Sequence, residues 1–294
     1  AAAPQFSTAD AERIARELFA LSATASPLTS ERDQNFLLTA RDGARVVLKV
    51  SNASDPRPLI DAQNAAMTRA ADRTGLTPRV LPSSTGGMIS EVRAPSGASH
   101  LVRMVSYIPG MLASQVVYQS PAYREDLGRS VGRISAALAG FVHPAAHRDF
   151  YCDLARAPGI CREYLPLVRD AKLRTLVSRA LKEFDRDTAP LLDKLPRSVI
   201  HNDANDGNVI VRTDGDPYER GQRVAGIIDF GDIVHGWTVG DVVIAAAYAC
   251  LGQRDPLAAI GDVVRGYGVE QKLSDSEWAV VFPLVRLRLC ASVC

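Results

Sequence analysis

Cysteine is scarce in this sequence, and its pattern argues against two kinds of small stabilised fold. The five cysteines are an odd number, and no two of them stand in a Cys-x-x-Cys spacing. Neither a disulfide framework nor a structural zinc site is therefore expected. A reducing, cytoplasmic location fits this cysteine usage best.

Long apolar runs and a leader-like segment are also lacking. No run approaches the roughly 20 apolar residues that a membrane-spanning helix needs. The first four residues have neither the basic flank nor the apolar core of a signal peptide. We therefore expect no membrane partner. Cys294 ends a helix-like stretch that has no stop signal, so we expect further residues beyond it.

An excess of charge is the third absence. The 34 basic and 33 acidic residues give a formal net charge of +1. Proteins that bind nucleic acid or anionic membranes in general need a basic excess, so no nucleic-acid partner is expected. The hydrophobic content of 47% and the charged content of 23% are ordinary for a globular protein. A chain of 294 residues forms one large domain or two apposed lobes.

The most informative stretch is residues 201–208, which read HNDANDGN. A short apolar run follows at 209–211, then turn-forming residues at 214–217, and then GIIDFGD at 226–232. This order predicts a polar loop, a strand, a turn, and a second strand that ends in an acidic loop.

Three oxygen-bearing side chains should meet at the ends of these two strands: Asp203, Asn208 and Asp229. Oxygen donors of this kind suit Mg²⁺, which shares its coordination shell with waters and phosphates. The spacing His-x-Asp-x-x-x-x-Asn, followed by Asp-Phe-Gly, is typical of phosphoryl transfer. In that pattern the first Asp accepts the proton of the attacking hydroxyl, and the Asn and the later Asp hold metal. The alternative is an acidic hairpin loop whose Asp and Asn side chains only cap turns.

Lys49 lies within an apolar strand predicted at 45–50, which forms a hairpin with residues 36–40. One interpretation is the strand lysine that pairs with nucleotide phosphates. The other is a lysine on the solvated face of an edge strand. The metal-binding pattern downstream favours the first. The helix predicted over 59–73 offers Asp61 and Gln63, neither of them the Glu of protein kinases, so the partner of Lys49 stays open.

A strand that runs into Pro109 and Gly110 predicts a hinge between two lobes. Backbone groups near Ser106 and Ile108 would then be free to meet an adenine edge, although an ordinary turn gives the same sequence. Farther along, a buried helix at 239–249 carries Asp241 near its start, where it favours the helix dipole and is placed to tie down the polar loop.

Together these motifs resemble the aminoglycoside phosphotransferase and choline kinase superfamily. The closer similarity is to hydroxylysine kinases and to the phosphotransferase domain that bacteria fuse to an aminotransferase-like protein. The resemblance covers nearly the whole chain, in the segments 30–36, 47–49, 61–64, 101–103, 109–110, 201–208 and 228–232.

The resemblance implies an α+β, protein-kinase-like fold with two lobes. A β-rich lobe at 1–107 would bind nucleotide, and a mostly helical lobe at 108–294 would carry the catalytic loop, metal and acceptor site. Asp203 would be the catalytic residue, Asn208 and Asp229 would hold Mg²⁺, and Lys49 would hold the α- and β-phosphates. His201 would be structural.

The phosphate loop departs from that of protein kinases because it has no Gly-x-Gly. Ser30 and Asn35, within a loop at 30–35, would have to bind phosphate through hydroxyl, amide and backbone groups instead. Gln63 would face the same nucleotide site. Because of the missing Gly-x-Gly and of Gln63 in the helix, the sequence supports phosphate binding by Lys49 less strongly than it supports the metal site.

The predicted activity is transfer of the γ-phosphoryl group of ATP or GTP to a hydroxyl of an amine-bearing alcohol of the hydroxylysine or ethanolamine type. Asp206 and Asp232 stand beside the metal loop, where each is either an amine-binding carboxylate or a polar support of the loop. Two alternatives remain: an aminoglycoside kinase, and a non-catalytic, pseudokinase-like nucleotide-binding domain. An aminotransferase-like phospho-lyase, fused or separate, is the expected partner of the first activity.

Overall fold

The computed structural model describes residues 4–30, 32–94, 97–214 and 221–294. The chain divides into two compact units, Ala1–Ile108 and Pro109–Cys294. The first contains an antiparallel sheet with two helices, and the second is mostly helical. The α+β class expected from the sequence is confirmed. None of the helices in the described ranges has both the length and the apolar character needed to cross a membrane.

The first unit is built around one antiparallel sheet. Its strand order is β1-β2-β3-β6-β4, and β5 also pairs with β6. The elements in chain order are α1 (Thr8–Phe19), β1 (Ala23–Leu28), β2 (Gln34–Ala40), β3 (Arg45–Val50), α2 (Arg57–Thr74), β4 (Val80–Leu81), β5 (Ser90–Arg93) and β6 (Ser99–Ser106).

Local sequence signals set several of these elements. Ser7 caps α1 by accepting a hydrogen bond from the Asp10 N–H at 3.1 Å, and the Asp10 carboxylate accepts from the Ser7 N–H at 3.0 Å. This reciprocal pair satisfies two of the free N–H groups at the helix start. The hairpin of β2 and β3 turns at Gly43 (φ +85°), and α2 ends at Gly75 (φ +70°). The helix predicted over 59–73 and the hairpin of residues 36–40 with 45–50 are confirmed.

The strand β1 was not predicted from the sequence. It contains Pro27, which lacks an N–H group and normally argues against a central strand. The structure places β1 at the edge of the sheet, where it pairs with β2. An edge position tolerates proline because one side of the strand has no ladder to interrupt.

The second unit contains six α-helices of eight residues or more and two small sheets among its described residues. The sheets have the strand orders β10-β9-β7 and β11-β8. The elements are β7 (Met111–Leu112), α3 (Pro121–Leu138), α4 (Ala157–Tyr164), α5 (Ala171–Glu183), β8 (Arg197–Ile200), β9 (Val209–Val211), β10 (Val224–Ile227), β11 (Val234–Trp237), α6 (Gly240–Ala249), α7 (Pro256–Glu270) and α8 (Asp275–Val293).

Helices α3 and α7 pack with their backbones unusually close. A side chain at Gly266 would overlap the carbonyl oxygen of Glu125, and one at Gly128 would overlap that of Val263. Glycine is therefore required at these crossings by lack of space. An ion pair from Arg124 on α3 to a buried carboxylate on α7, Asp262, joins the same helices at 2.7 Å.

The elements that carry the polar loop follow the predicted order. Strands β9 and β10 pair in antiparallel register, with Asn208 just before the first and Asp229 two residues after the second. The turn predicted at 214–217 lies mostly outside the described residues, which resume at 221. Helix α6 is buried along nearly its whole length, so its first turn carries Asp241 into the interior beneath the loop.

Candidate active site

The second unit brings the predicted acidic side chains together. Burial raises the pKa of Asp203 to about 7, and the charges of Asp232 and Asp229 add to that rise. A hydrogen bond from Asn205 and the positive charge of Arg288 act in the opposite direction. Asp203 and Asp229, on either side of the β9–β10 hairpin, therefore lie close enough for their charges to interact, as the sequence predicted.

Two amide side chains hold the carboxylate of Asp203. The Asn208 amide nitrogen donates to one carboxylate oxygen at 2.6 Å and to the Asp203 carbonyl at 3.0 Å. The Asn205 amide nitrogen donates to the other carboxylate oxygen at 2.7 Å. Both oxygens of Asp203 thus have a fixed direction. Asn205 did not figure among the residues predicted from the sequence, because an Asn in a turn-rich loop has no distinguishing signal of its own.

Asp241 anchors the start of this loop from below. Its carboxylate oxygens accept from the backbone N–H groups of Asn202 at 2.9 Å and His201 at 3.4 Å. Burial raises the pKa of Asp241 to about 6, although those two hydrogen bonds oppose the rise. Asn202 adopts a left-handed conformation (φ +65°), which Asn tolerates better than most residues. The predicted role of Asp241 in tying down the loop is confirmed.

His201 joins the two halves of the site. The Asp203 N–H donates to its Nδ1 at 3.2 Å, and its Nε2 lies 3.1 Å from the carbonyl oxygen of Ile228. This arrangement suits a neutral ring protonated on Nε2. Burial lowers the pKa of His201 to about 4, so the ring is uncharged at neutral pH. The imidazole packs edge-on against Phe230, with 4.8 Å between ring centroids. The expected structural role of His201 is therefore supported.

The loop at Asp229 is held in a strained conformation by a residue that the sequence did not reveal. Asp229 has φ +63°, and its carboxylate accepts from the Gly231 N–H at 3.0 Å. Arg148 donates to the carbonyl oxygens of Gly231 at 2.8 Å and Ile233 at 3.1 Å. Non-glycine residues with positive φ are frequent at functional sites, where surrounding contacts maintain them.

The two predicted acceptor-binding carboxylates differ in their surroundings. Asp232 lies close enough to Asp203 to raise its pKa. Asp206 instead acts on Tyr123 and Tyr248. Burial is the main cause of the raised pKa of both tyrosines and the charge of Asp206 adds to it, while the charge of Arg288 opposes the rise at Tyr248. Asp206 also shares the lining of a small cavity with these two tyrosines. The geometry therefore puts Asp232 beside Asp203 and Asp206 farther along the same loop.

No group of three or more His, Cys, Asp or Glu side chains in the described ranges has the arrangement of a metal site. The predicted metal ligands, Asn208 and Asp229, do not require such a group. Mg²⁺ is commonly held by one or two carboxylates, with waters and substrate phosphates completing the shell.

The first unit contains the predicted lysine. Lys49 lies on β3 and is 8% exposed, opposite Asn35 on β2 and Arg103 on β6. Asn35 is also buried, and its side-chain oxygen has no hydrogen-bond partner within the described residues. The solvated-edge interpretation of Lys49 is therefore wrong, because β3 is an inner strand and its lysine is buried.

Gln63 and its neighbour Asn64 make contacts that the sequence did not predict. The Arg103 guanidinium donates to the side-chain oxygen of Gln63 at 2.7 Å and to that of Asn64 at 2.8 Å. This buried arginine ties α2 to β6, beside the position of Lys49. From the sequence we expected Gln63 to contact Lys49 or the nucleotide. In the structure its side-chain oxygen accepts a hydrogen bond from Arg103.

The remaining predicted nucleotide contacts lie at the margins of the first unit. Ser30 is a half-exposed residue in the loop between β1 and β2. The Ser106 N–H donates to the Arg79 carbonyl at 2.8 Å, so this N–H is not among the backbone groups left for an adenine edge. The reason is that residue 79 extends the short β4 pairing onto the end of β6. Ile108 makes no backbone hydrogen bond in the part of the chain that the structure describes.

A comparison with family sequence models decides the class of protein. The model of the phosphotransferase enzyme family (APH) matches residues 24–280. The chain belongs to the phosphotransferase enzyme family. This confirms the resemblance inferred from the motifs, and it makes the protein an enzyme that phosphorylates a hydroxyl group rather than a non-catalytic binding domain.

Curated relatives and solved structures agree with this assignment. This phosphotransferase is 28% identical to the hydroxylysine kinase of Mus musculus over 310 residues, which is 99% of this chain and 82% of that protein. An amicoumacin kinase structure has a TM-score of 0.72 at 16% identity, covering 98% of this chain and 85% of the other. A microcompartment-associated aminopropanol kinase has a TM-score of 0.71 at 21% identity, covering 97% and 88%. At these identities the two structures establish the fold of the phosphotransferase and nothing finer.

Proposed function

We propose that this phosphotransferase is a small-molecule kinase that transfers the γ-phosphoryl group of ATP or GTP to the hydroxyl of an amino alcohol. The observation that carries the proposal is the arrangement around Asp203, whose carboxylate is fixed by two amides and lies near two further carboxylates. A turn-capping role does not require a carboxylate held in this way.

Asp203 accepts the proton of the acceptor hydroxyl as that oxygen attacks the phosphoryl group. A general base works best when its pKa lies near the operating pH, and burial raises the pKa of Asp203 to about 7. Asn205 and Asn208 orient the carboxylate, because each donates to a different oxygen. Asp241 and His201 keep the loop in place. Positioning and charge stabilisation dominate this chemistry, so fixed geometry is the main contribution of these residues.

The donor set near Asp203 fits Mg²⁺. Asn208 and Asp229 offer hard oxygen ligands. Burial is the main cause of the raised pKa of Asp203, and the charges of Asp232 and Asp229 add to it, so a cation beside these carboxylates would stabilise their ionised forms. Bound Mg²⁺ would neutralise charge on the transferred phosphate. Arg148 and the Gly231 N–H hold the backbone and carboxylate of the Asp229 loop. A divalent cation, Ca²⁺, accompanies AMP-PNP in the amicoumacin kinase structure.

The first unit would bind the nucleotide. Lys49 is the candidate for the α- and β-phosphates, and Asn35 stands opposite it with an unused buried oxygen. Ser30 and the loop after it are the candidate phosphate loop. Gln63 supports this region through Arg103. Ile108 keeps a backbone without hydrogen bonds in the described structure, which suits an adenine or guanine edge, and Ser106 would take part through its carbonyl.

The acceptor would carry an amine. Asp232 and Asp206 supply negative charge beside Asp203, and the relatives include a hydroxylysine kinase and an aminopropanol kinase by name. Phosphorylation of such a molecule gives an amino phosphate ester, a substrate for a phospho-lyase of the aminotransferase-like class. We include a cytoplasmic location in this proposal, because the reaction needs a supply of ATP or GTP. The described cysteines are all free, which is consistent with it.

The test is phosphorylation of an acceptor panel, read by mass spectrometry with ATP or GTP and Mg²⁺. The panel contains hydroxylysine, ethanolamine, 1-aminopropan-2-ol and an aminoglycoside. We expect transfer to at least one amino alcohol, and we expect Asp203→Asn to lower kcat by roughly 10²- to 10⁴-fold with the fold retained. Asp187→Asn, at a surface ion pair, is the matched control. Phosphorylation of the aminoglycoside alone, or full activity of Asp203→Asn, would refute the proposal.

A further inference from the structure

Arg288 on α8 is a half-buried cation whose contacts are all neutral. Its guanidinium donates to the Tyr248 hydroxyl at 2.8 Å and to the Ser292 hydroxyl at 3.0 Å. It lies 5.3 Å from the centroid of the Tyr248 ring. Within the described residues no carboxylate lies at ion-pair distance from it. Two positions earlier on the same helix, Arg286 pairs with Glu183 at 2.6 Å.

The tyrosine that Arg288 contacts lies at the acidic loop. Tyr248 lines a small cavity together with Asn205 and Asp206. Asn205 in turn donates to the Asp203 carboxylate at 2.7 Å. Helices α6 and α8 therefore bring a tyrosine and an arginine to the edge of the site where the acceptor hydroxyl must lie.

A cation in this position does not help to bind a simple amino alcohol. The ammonium group of such an acceptor is attracted by Asp232 and Asp206 and is repelled by Arg288. A guanidinium presents donors in a planar fork that matches a carboxylate. The Tyr248 hydroxyl accepts from Arg288, so its own O–H remains able to donate to the same carboxylate.

We propose that Arg288 and Tyr248 bind a carboxylate of the acceptor, which makes the acceptor a hydroxy amino acid. The inference rests on the proposed kinase function and narrows its substrate class. The carboxylates of Asp232 and Asp206 then receive the ammonium end, and Arg288 receives the acidic end. The hydroxyl is left facing Asp203.

Three matched acceptor pairs test this, since each pair differs by one carboxylate. They are 5-hydroxylysine with 1,5-diaminopentan-2-ol, threonine with 1-aminopropan-2-ol, and serine with ethanolamine. We expect the wild-type enzyme to prefer the acid of at least one pair. Arg288→Met should lower kcat/KM for that acid by roughly 10- to 150-fold, mainly through KM, because a hydrogen-bonded charge partner is lost. The amino alcohol of the pair should change by less than about threefold, since it has no carboxylate to lose.

Two further variants separate binding from structure. Arg288→Lys keeps the charge and should recover part of the preference, and Tyr248→Phe should reduce it without abolishing it. Arg286→Met removes an equal charge from the same helix and should leave the preference unchanged. If Arg288→Met lowers both members of a pair equally, or if the wild type prefers the amino alcohols, the inference is wrong.

Calorimetric binding of the same pairs distinguishes failure of this inference from failure of the kinase proposal. If an acid binds more tightly than its amino alcohol, and Arg288→Met removes that difference, the carboxylate site is supported. If no acceptor is phosphorylated in that case, only the kinase proposal fails. Equal binding of acid and alcohol, together with normal phosphorylation of the alcohol, overturns the inference and leaves the kinase proposal intact.

Discussion

Replacing Asp241 with Asn tests how far activity depends on the carboxylate that anchors the loop, because the substitution should change the overall stability little. Asp241 is 1% exposed, and its two oxygens accept from Asn202 at 2.9 Å and His201 at 3.4 Å. The Asn side chain keeps one acceptor oxygen and turns an NH₂ group toward the other N–H. The loop therefore loses one of its two anchoring hydrogen bonds.

The expected change in stability is small because two effects oppose each other. Leaving one buried N–H unsatisfied costs about 1–3 kcal/mol. Against this, burial raises the pKa of Asp241 from 3.8 to about 6, so the ionised group at pH 7 costs the fold about 3 kcal/mol relative to a neutral one. A neutral Asn avoids that cost. We expect the free energy of unfolding at pH 7 to change by less than about 2 kcal/mol.

The expected change in activity is large. Asp203 follows the anchored residues directly, and a displacement of about 1 Å at a reacting group can cost on the order of 10²-fold in rate. Steady-state kinetics and urea denaturation followed by circular dichroism measure the two quantities. Asp262→Ala is the opposite control. It leaves Arg124 buried without its carboxylate, and should cost about 3–5 kcal/mol of stability without lowering kcat/KM of the folded enzyme.

Two outcomes would refute this reasoning. If Asp241→Asn keeps kcat/KM within about threefold of the wild-type value, the loop does not depend on its carboxylate anchor. If the variant loses more than about 4 kcal/mol, the burial cost inferred from the raised pKa of Asp241 is wrong.

Two further predictions concern stability. Burial lowers the pKa of His201 from 6.5 to about 4. Between pH 6.5 and pH 4 the unfolded chain therefore binds a proton on this ring that the folded protein does not. The contribution of the neutral ring to the free energy of unfolding is complete above pH 6.5 and is lost as the pH falls toward 4. The difference in unfolding free energy between the wild type and His201→Gln should fall by about 3 kcal/mol between pH 7 and pH 4; a constant difference would contradict the neutral, buried ring. On α7, Gly266→Ala meets the Glu125 carbonyl and should destabilise by about 3 kcal/mol or more, whereas Gly268→Ala meets nothing and should stabilise by roughly 0.5–1 kcal/mol. Equal thermal shifts for the two variants would show that the helix crossing is not as tight as the structure has it.

Much of the local structure was predictable because short-range chemistry sets it. Ser7 and Asp10 form a capping box wherever the chain can turn helical after them, and Gly43 supplies the positive φ of a hairpin. Strand β1 escaped prediction because proline is disfavoured in strands generally, and only the complete sheet shows that this strand is at its edge.

The site was predictable to the extent that its residues lie within one continuous motif. Asp203, Asn208 and Asp229 are separated by two short strands, so strand pairing alone brings them together. The partner of Gln63 was not predictable, since Arg103 comes from a strand 40 residues away and its orientation depends on how α2 packs on the sheet.

The sequence by itself determined the family, the α+β class and the identity of the acidic loop, because spacing and local turn chemistry are properties of neighbouring residues. The tertiary structure decided the electrostatics of that loop. The raised pKa of Asp203, the anchor at Asp241, the support from Arg148 and the position of Arg288 all depend on burial and on helices distant in the chain. Burial and long-range proximity arise only when the chain has folded, and a sequence motif becomes a functional site only when both are present.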